Sequence, residues 1–134
     1  MLNKIKTNVT LNRFLTNKLL ENEVGVIIDK DMPQNSFVAI NIDEYYHHIG
    51  LEIIPAIADI LLVAQKLSQK EQHHIYIVEM KNIDSPHKFK VKNIYDKFYT
   101  AIEDFMKKNM RIYLWMRNIK LNDSDYSLCL MRIG

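Results

Sequence analysis

The fold turns on Asp59-Ile60-Leu61-Leu62-Val63-Ala64 and, after a polar turn, Ile75-Tyr76-Ile77-Val78-Glu79-Met80-Lys81. Isoleucine, tyrosine and valine mark His74 to Met80 as a strand. Its two-residue period puts Glu79 and Lys81 on one face and Met80 on the other. The run from Ile57 to Ala64 admits two conformations. As a helix opened by Pro55, it gathers Ile57, Ile60, Leu61, Ala64 and Leu67 on one face and turns Asp59 to water. As a strand it is a buried central run that turns through Ser68 to Gln72 and pairs antiparallel with His74 to Met80. Asp59 then comes out near Glu79.

Two converging carboxylates are hard oxygen donors of the kind that suits Mg²⁺ or Mn²⁺, with the Met80 backbone carbonyl and waters completing an octahedron. Lys81 beside them can orient or help deprotonate an attacking water and offset the charge that builds on a phosphate during in-line displacement. The alternative is plain: Glu79 and Lys81 are a charged strand end, and Asp59 is the polar face of a helix.

Asp59, the polar turn, Glu79-Met80-Lys81, a following helix and a strand over Arg111 to Arg117 together resemble the PD-(D/E)xK, restriction endonuclease-like nuclease superfamily. The resemblance covers Leu11 to Arg117. It implies an α/β fold whose mixed β-sheet is flanked by helices in the order α-β-β-β-α-β, here with extra strands. It also implies a metal-dependent endonuclease that hydrolyses phosphodiester bonds in DNA, of restriction, junction-resolving or repair type. Asp59, Glu79 and Lys81 fall on the motif as catalytic residues, the two acids as ligands of Mg²⁺ or Mn²⁺. The proline usually adjacent to the first acid is displaced to Pro55. Many members carry a further acid on the first helix, which points to Glu21, with Glu23 as a weaker substitute.

DNA contact is expected after the motif. Lys81 to Lys108 holds seven lysines against four acids. Within it, His87-Lys88-Phe89-Lys90-Val91-Lys92 would, if extended, set Lys88, Lys90 and Lys92 on one side as a phosphate rail. A solvated loop is the alternative. Lys97, at the edge of the next helix, is the remaining DNA-binding candidate.

The rest of the chain frames this centre. Leu11, Phe14, Leu15 and Leu19 predict a helix from Thr10 to Asn22. Val24 to Asp29 and Ser36 to Ile42 read as a hairpin. Ile94, Phe98, Ala101, Ile102 and Phe105 predict a helix from Asn93 to Lys108, and Tyr126 to Ile133 predicts a last strand. His47/His48 and His73/His74 invite a zinc reading, but neighbours on a strand point to opposite faces and do not easily share one ion. Tyr45 and Tyr46 would stack on a base or cover the sheet. Trp115 reads as packing.

At 134 residues, 48% hydrophobic and 25% charged, with three Gly and three Pro, the chain reads as one domain over residues 1–134. A formal charge of +2 neither demands nor excludes a polyanionic partner. The lone Cys129 makes no internal disulfide, which favours a reducing, cytoplasmic setting. Met1 to Lys6 has no apolar region behind its basic residues, and no stretch approaches the about 18 apolar residues of a membrane span. A homodimer through the Tyr126 to Ile133 edge would supply two sites for a duplex, and a partner protein is an alternative source of specificity. The competing functional reading is a non-catalytic α/β module that binds a partner or nucleic acid.

Overall fold

The computed structural model describes residues 1–21, 24–69, 72–80, 90–110 and 126–131. In chain order it contains α1 (Leu2–Thr7), a 3₁₀ turn (Asn12–Phe14), β1 (Leu20–Glu21), β2 (Val24–Gly25), β3 (Phe37–Asn41), α2 (Ile42–His48), β4 (Ile60–Gln65), β5 (His73–Met80), α3 (Val91–Tyr99) and β6 (Tyr126–Met131). It is a mixed α/β structure. Among the described residues a four-stranded sheet runs β3-β4-β5-β6, and β1 and β2 form a separate antiparallel pair. β4 runs antiparallel to both β3 and β5, while β6 lies parallel to β5.

The disputed run is a strand. β4 is central, with Leu61 opposite Ile77 and Val63 opposite Ile75 on one side, and Leu61 opposite Ile40 on the other. Its uninterrupted apolar sequence follows from burial on both faces. Leu61 and Val63 join Ile40, Ile77, Leu11, Phe14, Tyr45, Tyr46, Phe105 and Met106 in the larger core. Ile60 and Leu62 join Ala39 and Val78 on the opposite face. Tertiary burial overrides the helix propensity of Leu and Ala.

The helix expected over 10–22 does not form. Asn8 Oδ1 accepts the amides of Thr10 and Leu11 at 2.9 Å each, and the chain then makes only the short 3₁₀ turn. Leu11 and Phe14 still enter the core, but Leu15 bridges to Ile40 and the Thr16 amide bonds Ala39 O at 3.0 Å. The helical spacing therefore conceals a strap that covers part of the outer edge of β3, where unpaired backbone groups need partners.

The expected hairpin of 24–29 with 36–42 is also absent. β2 pairs with β1, and β3 pairs with β4. β3 stops at Asn41 because Asn41 Oδ1 accepts the Glu44 amide at 2.9 Å and caps α2. That helix buries Ile42, Tyr45 and Tyr46 at helical spacing. Just beyond it Gly50 adopts φ of 65°, the left-handed conformation glycine supplies after a helix end. Tyr45 and Tyr46 are therefore core residues, and His47 and His48 lie on a helix rather than a strand.

α3 bears out the helix expected over 93–108. It starts at Val91 and continues through a wider π turn, Thr100–Met106, to residue 110, burying Ile94, Ala101, Phe105, Met106 and Met110. β6 occupies most of the expected last strand. The strand expected over 111–117, with Trp115, lies outside the described residues. Among the described residues no helix is long and apolar enough to cross a membrane.

Candidate active site at the β4 and β5 ends

Asp59 immediately precedes β4 and is fixed through three backbone or side-chain atoms. Its amide donates to Val78 O at 3.1 Å, its carbonyl accepts the Ile42 amide at 3.1 Å, and its Oδ2 accepts the Met80 amide at 2.5 Å. The antiparallel turn between β4 and β5 thus brings Asp59 to the end of β5 that carries Glu79. Asp59 keeps partial exposure.

Glu79 is only 4% exposed. Alternation along β5 gives it the side of Ile75 and Ile77, the side on which α3 also packs. From α3, Lys97 Nζ donates to Glu79 Oε1 in a largely buried ion pair. Taking two charges out of water is costly, and the pair is viable because each compensates the other. Lys97, expected at DNA, is directed to Glu79.

The donor set suits a hard cation. Asp59 and Glu79 carboxylates and the Met80 carbonyl are all oxygen donors, and Mg²⁺ typically takes one or two protein carboxylates and keeps several waters. Among the described residues no group of three or more His, Cys, Asp or Glu side chains is placed to hold a metal ion.

The other expected site residues fare unevenly. Glu21 lies in β1, not in the last turn of a first helix, so the helical argument that selected it falls away. Lys81 and Lys88 lie outside the described residues. Lys90 and Lys92 are exposed, but Lys90 is the N-cap of α3 and Lys92 is already helical, so the extended alternation expected for the lysine rail ends there. Of the histidines, His47 Nδ1 donates to Asp43 O at 2.8 Å, and the Arg13 guanidinium donates to His48 Nε2 at 3.1 Å.

Beside Asp59 opens a hollow of about 200 Å³ lined by Lys18, Asn41, Asp43, Asp59, Ile60 and Met80. Lys18 and Asp43 are absent from the sequence-derived site. Asp43 had a signal: Asn41-Ile42-Asp43-Glu44 has the N-cap-x-x-Glu pattern of a helix start, with an acid in the first turn. Lys18 had none, because only the strap carries it to the sheet.

Comparison with known proteins finds no matching family model, no similar curated protein and no similar solved structure.

Proposed function

We propose that the chain is a metal-dependent nuclease that hydrolyses phosphodiester bonds in DNA, built on a restriction endonuclease-like PD-(D/E)xK core. The observation that carries the reading is the meeting of Asp59 with the Val78 to Met80 end of β5. The element order supports it. α1, then β3, β4 and β5 antiparallel, then α3, then β6 parallel to β5 follows α-β-β-β-α-β, with β1 and β2 outside the main sheet and α2 inserted between β3 and β4.

In this reading Asp59, Glu79 and the Met80 carbonyl would hold Mg²⁺ or Mn²⁺, which would supply Lewis-acid stabilisation of phosphate charge. The Met80 amide orients the Asp59 carboxylate, and Lys97 holds that of Glu79. Lys81 aligns the attacking water and helps remove its proton as one phosphorus–oxygen bond forms and the bond to the leaving oxygen breaks. Lys90 and Lys92 contact backbone phosphates. The β6 edge accommodates a second copy, and sequence preference comes from that copy or from a partner protein.

The test is nicking of supercoiled plasmid and of branched duplexes in Mg²⁺ or Mn²⁺ against EDTA, with Asp59→Ala and Lys81→Ala. Metal-dependent cleavage lost in both variants supports the reading; cleavage that survives both rejects the site.

One observation favours a second reading, a non-catalytic α/β module that binds nucleic acid or a protein. Glu79 is buried against Lys97, an arrangement that a purely structural ion pair also satisfies. In that case no divalent cation changes the melting temperature, and replacing Asp59 leaves binding intact.

A further inference from the structure

We infer that Lys18 is a substrate contact, a cation that draws a DNA backbone phosphate into the hollow beside Asp59; this rests on the nuclease reading above. Among the six residues that line the hollow, Lys18 is the one cation, and the same lining includes Asp43 and Asp59. A phosphodiester approaching two carboxylates meets repulsion unless a positive charge accompanies it, and Lys18 supplies that charge from the protein side.

The side chain is exposed, but its backbone is anchored. The Lys18 amide bonds Thr16 Oγ1 at 3.0 Å, the Thr16 amide bonds Ala39 O at 3.0 Å, and the Val26 amide bonds Leu19 O at 2.8 Å. The strap is thus tied to β3 on one side of Lys18 and to the β2 exit on the other. Lys18 makes no ion pair within 4.0 Å among the described residues. Its charge is available to a ligand, unlike that of Lys97, which is committed to Glu79. The hollow therefore sets Asp59, one of the two acids assigned to the cation, in the same lining as a lysine for the phosphate that the cation would engage.

Two measurements on the full chain test this. The first is binding of a fluorescent DNA duplex in EDTA, by anisotropy across a salt series, for wild type, Lys18→Met and Lys18→Arg. Loss of one phosphate contact flattens the slope of log affinity against log salt by about 0.9 in Lys18→Met, with the wild-type slope retained in Lys18→Arg. The second is steady-state cleavage in Mg²⁺, where kcat/KM falls about tenfold or more in Lys18→Met and recovers largely in Lys18→Arg. A flattened slope in a chain that cleaves nothing upholds the Lys18 contact and removes the nuclease reading. An unchanged slope overturns the Lys18 contact, whether or not the chain cleaves DNA.

Discussion

The Asp59 carboxylate accepts the Met80 amide at 2.5 Å, so the acid that precedes β4 occupies the place of a ladder partner at the end of β5. This gives Asp59 two separable roles. Asp59→Asn keeps an oxygen for the Met80 amide and should unfold in urea within about 0.5 kcal/mol of wild type, the range for changes that break no buried feature. Asp59→Ala leaves that part-buried amide without its acceptor and should cost about 1–3 kcal/mol. If Asp59 holds the cation, both variants lose plasmid cleavage by about 100-fold or more, equivalent to several kcal/mol of lost charge stabilisation. Asn retaining activity while Ala loses it would assign Asp59 to architecture alone.

The Glu79 and Lys97 pair makes a different prediction, because both partners are largely shielded. Lys97→Met removes the charge that α3 brings to the buried Glu79 carboxylate and should cost about 3 kcal/mol in urea unfolding. Glu79→Gln with Lys97→Met should recover much of this, since no bare charge stays in the core. A double-mutant cycle with a coupling energy above about 1 kcal/mol supports a desolvated pair. Coupling near zero would place the pair in the class of solvated surface contacts.

The sequence located the centre of the sheet better than its surroundings, for a physical reason visible in β4 and β5. Ile75 to Val78 and Ile60 to Ala64 are apolar because neighbouring strands and both faces bury them, so local composition and tertiary environment agree. In the segment 10–22 they disagree. Leu11, Phe14, Leu15 and Leu19 have helical spacing, but Leu11 and Phe14 pack in one core cluster, whereas Leu19 packs against the opposite face of the sheet. A periodicity argument assumes one burial direction and fails when the chain crosses a sheet edge. The same crossing brings Lys18 to the Asp59 hollow, which explains why local pattern pointed to Asp59 and not to Lys18. Glu21 was misplaced by the same error.

The start of α2 gives a prediction independent of catalysis. Asn41 Oδ1 caps the Glu44 amide, and the helix behind it inserts Ile42, Tyr45 and Tyr46 into the core. Asn41→Ala should lower stability by about 1 kcal/mol in urea denaturation, and Asn41→Asp should retain most of the wild-type value because Asp caps equally well. A loss equal to that of Ala in the Asp variant would show that packing at Asn41, not its cap, is what matters.

The last prediction concerns high pH. Tyr46 is fully buried and its hydroxyl donates to Asp104 Oδ2. Burial first, and then the bond to the Asp104 carboxylate, push its phenol above the ordinary tyrosine range. The native state therefore keeps this proton at pH values where the unfolded chain, titrating near pH 10, has released it. Its contribution to stability is whole below about pH 10 and declines above it, by up to about 1.4 kcal/mol per pH unit. Tyr46→Phe removes both the hydrogen bond and the titration. At pH 8 the variant should be about 1 kcal/mol less stable than wild type. Urea unfolding repeated between pH 8 and about pH 11.5 should show the gap closing, and then reversing, as the wild-type phenol ionises in the unfolded state. A gap that stays constant across that range would mean that Tyr46 ionises alike in the folded and unfolded chain, and the Asp104 bond would then have no part in holding its proton.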